Sequence, residues 1–152
     1  MPLPEVTVPD APAPALNDRL GYLMKHAHQR LNELTSRALE PHGITGRECA
    51  VLLVIDDRVP LSQQDVAQRL GVDRTTMVAI LDELETKGFV ERRQDIEDRR
   101  RNVVAVTTHG RAVLQKATSA TNDAEREFFA SLTSGQASEF TRSLRTLGFS
   151  GH

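Results

Sequence analysis

Apolar residues at Leu16, Leu20, Leu23, Met24, Ala27, Leu31, Leu34 and Ala38 recur at steps of three and four, the stripe of one long amphipathic helix. Pro41 and Gly43 end it. Thr45, with Glu48 three residues on, has the form of a capping box and opens a second helix. The body of that helix, Cys49 to Ile55, is apolar on all sides, which predicts burial. Asp56, Asp57 and Pro60 stop it. Ser62-Gln63-Gln64-Asp65 starts a short third helix with a serine cap and an acid at the third position. Val66, Ala67 and Leu70 form its inner face. Gly71-Val72 is a tight break, and Asp73 caps a fourth helix. Met77, Ile80, Leu81 and Leu84 make the apolar stripe of the fourth helix and leave Arg74, Thr75, Thr76, Ala79 and Asp82 off it. Gly88 marks its end.

The period then shortens. Phe89 to Arg93 and Asn102 to Val106 read as short strands, and the charged stretch Gln94 to Arg101 joins them as a hairpin. Thr107 or Thr108 caps a fifth helix running to about Leu132, with Val113, Ala117, Ala120, Ala124 and Phe128 at near-constant spacing. Thr133 and Gln136 form another capping box, and Ala137, Phe140, Leu144 and Leu147 stripe a last helix. The expected fold is mostly α with one small β-hairpin. Residues 1–14 hold five of the seven prolines and little apolar area, so they are expected to be a disordered arm.

Composition narrows the function classes. At 152 residues the chain makes one domain or one intertwined unit. Its longest strictly apolar run, Cys49 to Ile55, is far short of the ~20 residues of a membrane span. The acidic, Pro-rich start has no signal-peptide pattern, so a cytoplasmic protein is expected. The single cysteine, Cys49, permits no internal disulfide and no Cys-rich zinc module. Aromatic residues are scarce, which disfavours a ring-lined carbohydrate or peptide cleft. There is no phosphate loop, no nucleophile elbow and no paired histidine-acid motif, so neither an enzyme nor a cofactor is expected.

The net charge of −2 argues against nucleic acid until charge is read locally. Arg58 to Arg111 hold ten basic and nine acidic residues, whereas the rest of the chain holds nine and twelve. Two of the acids, Asp65 and Asp73, sit at helix starts, where they interact with the helix dipole. A short helix, a Gly turn and a second helix with small polar residues on its outer N-terminal turns make a helix-turn-helix. The second helix can enter a major groove, about 12 Å wide, and present those residues to base edges. An isolated Arg99-Arg100-Arg101 would read as a solvated face. At the tip of a hairpin that follows a helix-turn-helix, it reads as a wing reaching phosphates or an adjacent minor groove.

The order helix, helix, strand, basic loop, strand carries a family resemblance from Leu61 to Thr107. Leu84-Glu85-Thr86-Lys87-Gly88-Phe89-Val90-Glu91-Arg92, Asp98-Arg99-Arg100 and Val104-Ala105-Val106-Thr107-Thr108-His109-Gly110 resemble the multiple-antibiotic-resistance regulator (MarR) family of winged-helix transcription factors. Leu39-Glu40-Pro41-His42-Gly43-Ile44-Thr45 and the two C-terminal helices extend the likeness to about residues 16–148. The resemblance implies an intertwined homodimer binding a pseudo-palindromic operator in duplex DNA, with residues 15–57 and 108–148 mainly for dimerisation and 58–107 as the DNA-binding module. It implies that Asp98 holds the wing arginine while Arg100 enters the minor groove. The expected DNA-binding set is Ser62, Gln63, Arg74, Thr75, Thr76, Ala79, Arg92, Asp98, Arg99, Arg100 and Arg101. Three amphipathic helices flanking so small a module agree with dimerisation on physical grounds.

The family likeness also implies a small aromatic or anionic effector and, with it, a repressor released by ligand. Arg19, Tyr22, His26 and His28 on the first helix are the polar candidates, with an arginine or histidine to pair a carboxylate and Tyr22 or Met24 against a ring. Solvated surface is the competing reading for all of them. Three alternatives stay open: a redox-sensing regulator acting through Cys49, a zinc site at His42 and His109, and a winged-helix dimer that binds protein. Cys49 lies in an apolar helix with only Arg47 near in sequence to lower its pKa, and Val113 stands one helical step after His109, where a second zinc ligand would help.

Overall fold

The computed structural model describes residues 14–56 and 60–151. The stretch expected to be a disordered arm lies, up to residue 13, outside the described residues, as do Asp57 and Arg58. The described chain forms α1 (Leu20–Leu39), α2 (Gly46–Ile55), α3 (Gln63–Leu70), α4 (Arg74–Thr86), β1 (Val90–Gln94), β2 (Asn102–Val106), α5 (Thr108–Phe128) and α6 (Ser134–Gly148). The two strands pair antiparallel, with Val90 opposite Val106 and Gln94 opposite Asn102. Leu61 adds a bridge to Val104 on the free edge of β2, so the segment entering α3 is tied to the hairpin.

Every helix from α2 to α6 starts where a side chain satisfies some of its free amides, whereas α1 has no side-chain cap. Thr45 and Glu48 close a capping box on α2, Ser62 and Asp65 on α3, and Thr133 and Gln136 on α6. Asp73 caps α4 and Thr107 caps α5 through side-chain acceptors. α1 begins at Leu20, later than its apolar stripe predicts. A 3-10 turn at Pro14–Leu16 precedes it, and the Arg19 amide bonds the Leu16 carbonyl at 2.9 Å. α5 stops at Phe128, short of the expected end near Leu132. Phe129 turns its ring onto Phe140 of α6 at 5.9 Å, and the Leu132 amide folds back to the Phe129 carbonyl at 2.8 Å.

The core lies where α2, α3, α4, the hairpin and the N-terminal part of α5 meet. Leu39, Val51, Leu52, Val66, Met77, Leu81 and Leu84 are fully buried there. α2 is not buried on every side: Cys49, Val51, Leu52 and Ile55 are buried, but Leu53 is 55 % exposed. Met77, Ile80, Leu81 and Leu84 face inward as their spacing predicts, which turns the other side of α4 to solvent.

Two contacts fix the hairpin and α4 to the long α5. The Phe89 amide closes the end of α4 on the Leu84 carbonyl at 2.9 Å, which is why β1 begins at Val90. On the other side, the Phe89 carbonyl accepts from the Thr107 amide at 3.0 Å, and a Cβ at Gly110 would stand 2.0 Å from that same oxygen. Only glycine permits this approach.

α1 packs along α5, whereas the first turns of α1 and one face of α6 keep large apolar side chains in solvent. Leu20 is 68 % and Leu147 72 % exposed, and Leu23, Met24, Phe140 and Leu144 are also exposed. Among the described residues no helix is long and apolar enough to cross a membrane.

Candidate nucleic-acid interface

The turn between α3 and α4 is held by its backbone. Gly71 takes the left-handed conformation (φ 63°), a region that carries a steric cost for any side chain, and the Val72 amide returns to the Ala67 carbonyl at 3.0 Å. Asp73 then accepts from both the amide and the hydroxyl of Thr76, each at 2.8 Å. These bonds hold the Asp73 carboxyl below its ordinary range, so it stays ionised at the positive end of α4. The hydroxyl bond engages the Thr76 proton with the exposed Asp73 carboxylate. Arg74, Thr75 and Ala79 are exposed on the outer face, and Asp82 continues the line of Thr75 and Ala79 one turn further on.

Ser62 and Gln63 open α3 beside this face. With Gln64, Gln68, Arg74 and Asn102 they wall an open hollow of about 600 Å³ between α3 and α4. Gln64, Gln68 and Asn102 were not among the predicted residues. Their signal was the run of amide side chains at the start of α3 and the asparagine that follows the last wing arginine.

The wing is shaped by its own acids. The Asp95 amide bonds the Arg101 carbonyl at 2.9 Å, and the Asp98 carboxylate accepts from the Arg100 amide at 3.1 Å. Asp98 thus fixes the backbone at Arg100 and leaves the exposed Arg99 and Arg100 side chains projecting. Arg101 points the other way: its guanidinium is paired with Asp65 of α3. The Ser62 amide, the Ser62 hydroxyl and then Arg101 together hold the Asp65 carboxyl below its ordinary range, against the opposing effect of partial burial. Arg92 on β1 reaches Asp82 at 2.8 Å and Glu85 at 3.1 Å on α4, and Gln63 at 3.4 Å on α3. The structure therefore gathers all eleven predicted DNA-binding residues around α3, α4 and the hairpin. It gives them different occupations: some project into solvent, whereas Arg92 and Arg101 tie elements together.

A helix-turn-helix followed by an arginine-tipped hairpin has counterparts among known proteins. The MarR family model matches residues 42–101. The HTH-type transcriptional repressor Rv2887 of Mycobacterium tuberculosis is 32 % identical over 129 residues, covering 85 % of this chain and 93 % of that protein. The chain belongs to the MarR family. The multiple antibiotic resistance protein MarR of Escherichia coli is 31 % identical over 97 residues, covering 64 % of this chain and 67 % of that one. Among solved structures, the transcriptional repressor CouR bound to a 23-mer DNA duplex superposes with a TM-score of 0.82 at 29 % identity, over 89 % of this chain and 96 % of that one. CouR from Rhodococcus jostii bound to p-coumaroyl-CoA gives 0.79 at 27 % identity, over 92 % and 99 %.

In this MarR-family chain the predicted effector residues lie at the start of α1. The Tyr22 and His26 rings are in contact at 4.4 Å between centroids. Arg19 is exposed at the N-cap of α1, and His28, on another side of the helix, meets the Asn32 amide at 3.1 Å. Cys49 is buried, and burial pushes its thiol up, away from the reactive thiolate. The His109 ring packs on Phe89 at 5.2 Å. Among the described residues no group of three His, Cys, Asp or Glu side chains is placed to hold a metal ion.

Proposed function

We propose that the protein is a homodimeric repressor that binds a pseudo-palindromic operator and leaves it when a small aromatic or anionic ligand binds. The observation that carries this reading is the outward line of Arg74, Thr75 and Ala79 on α4 beside a wing whose Arg99 and Arg100 are exposed, with Asp98 fixing the backbone at Arg100. Thr75, Thr76 and Ala79 would meet base edges, Ser62 and Gln63 the backbone beside them, and Arg99 and Arg100 phosphates or the minor groove. The exposed apolar faces of α1 and α6 support dimerisation through residues 15–57 and 108–148, leaving 58–107 as the DNA-binding module. The relatives named above as repressors support repression, and the CouR complex with p-coumaroyl-CoA supports an effector with an aromatic acyl group and anionic phosphates. The relatives named above are transcriptional regulators, and the proposed role is not enzymatic. A soluble cytoplasmic dimer fits this role.

The test is recovery and sequencing of duplex DNA bound by the native protein, followed by titration of the recovered site at several salt concentrations. A shared inverted repeat, bound with steep salt dependence by a particle of twice 16.8 kDa, supports the proposal. A stable monomer, or binding indifferent to sequence, overturns it.

A further inference from the structure

We infer that Arg92 is a positioning residue that sets sequence specificity by fixing how α4 sits in the groove; this rests on the DNA-binding function proposed above. Its two terminal nitrogens divide their bonds. One reaches Glu85 at 3.1 Å, and the other reaches Asp82 at 2.8 Å and Gln63 at 3.4 Å. One side chain on β1 thereby joins the second half of α4 to the first turn of α3. Asp82 is the next outward position after Thr75 and Ala79, so the clamp grips the very face that would read bases.

The apolar stripe of α4 holds the helix against the core, but apolar contact is non-directional and permits roll about the helix axis. A planar guanidinium fork is directional, because its bonds need the carboxylates at fixed angles. Both hydrogens of the nitrogen shared by Asp82 and Gln63 are engaged. The Arg92 side chain is only 30 % exposed, against 62 % for Arg93 beside it, and Arg99 and Arg100 at the wing tip are exposed. Arg92 thus differs from Arg99 and Arg100, whose exposed side chains can follow a phosphate.

Contacts that position and contacts that neutralise phosphate leave different signatures. A phosphate contact weakens binding to every sequence and lowers the salt slope by about one when removed. A side chain that orients the reading helix changes the ratio of operator to random-sequence binding and leaves the slope alone. Lysine separates the two, since it keeps the charge but has no fork. Exposed ion pairs contribute little to global stability, so Arg92→Lys and Arg92→Ala should both remain folded, which thermal melting would check.

The experiment measures Arg92→Ala and Arg92→Lys against the recovered operator and a random duplex across a salt series. The inference requires both variants to lose roughly tenfold or more in the operator-to-random ratio, about the discrimination of one base contact, with random-sequence affinity and salt slope unchanged. A uniform loss in Arg92→Ala with a slope lower by about one, restored in Arg92→Lys, would assign Arg92 to a phosphate and overturn the inference. Unchanged binding in both variants would overturn it too. Wild-type protein that shows no preference for any duplex would instead remove the DNA-binding function on which the inference stands.

Discussion

The carboxylate of Glu48 and the ammonium of Lys87 meet at 2.9 Å, thirty-nine residues apart in sequence. Glu48 is the only charged side chain buried among the described residues, at 5 % exposure, and its Oε1 also accepts from the Thr45 amide at 2.9 Å. One carboxylate thus caps α2 and pins the end of α4 to it. Among the described residues, removing Lys87 leaves this buried charge with the Thr45 amide as its donor. Lys87→Met is expected to lower unfolding free energy by about 1–3 kcal/mol in a urea titration. Lys87→Arg, which can keep both bonds, should cost less. Equal stability of Lys87→Met and wild type would show that water replaces the ammonium without cost.

The caps of α2, α3, α4 and α6 were legible, and that of α5 to within Thr107 or Thr108, because capping is a local code: the donor and acceptor lie three residues apart, within sight of one another in sequence. The inward stripe of α4 and the outward placement of Arg74, Thr75 and Ala79 followed from the period of 3.6. The ion pairs that join elements were not legible. Glu48 had a sufficient reading as a cap and Asp65 as a helix-start acid, and nothing in their spacing points to Lys87 or Arg101. Arg92 stands in a basic run beside the wing and looks like a phosphate contact until Asp82, Glu85 and Gln63 surround it. The early end of α5 was hidden for a related reason. No Gly or Pro marks it, and Phe129 leaves the helix to pack on a ring eleven residues on.

Asp65 should make acid stability depend on the wing latch. The folded state holds this carboxylate below its unfolded value through Ser62 and Arg101. Its contribution is therefore complete above the ordinary carboxylate range and is lost as pH falls through the depressed folded value. Asp65→Asn is expected to be less stable than wild type at neutral pH, with the difference narrowing below about pH 4. Urea unfolding at a series of pH values reads this directly, and a difference that stays constant into acid would detach the effect from ionisation.

Wing and reading helix should separate in function. Arg100 is exposed, and Asp98 holds only its backbone, so the side chain is free to follow the DNA backbone or minor groove. Arg100→Ala should weaken operator and random duplex by similar factors and lower the salt slope by about one if it neutralises a phosphate. Thr75, by contrast, projects from the first turn of α4. Its replacement should shift the preferred base at one operator position by ~1–3 kcal/mol and leave the slope unchanged. Binding selections on the two variants test both, and an altered base preference in Arg100→Ala with unaltered affinity would reverse the assignment.

An aromatic carboxylate or anionic phenolic compound is expected to lower operator affinity. The Tyr22 and His26 rings already touch, and the exposed Arg19 stands one turn before Tyr22, so a ring and a cation are offered together at the start of α1. Leu20, Leu23 and Met24 around them are exposed in the single chain, so a partner helix packed on that face would help enclose a ligand. Such a ligand acts only if it binds the DNA-incompetent spacing of the two reading heads better than the competent one; equal affinity for both shifts nothing. A coupling of ~1–3 kcal/mol would weaken operator binding roughly 5- to 150-fold, and by linkage operator must weaken ligand binding by the same factor. Calorimetry on a panel of aromatic acids, with and without operator, measures both sides of that equality. Tyr22→Ala should reduce ligand affinity while leaving ligand-free operator binding intact. Ligand binding of equal strength with and without operator would leave the site without a regulatory role.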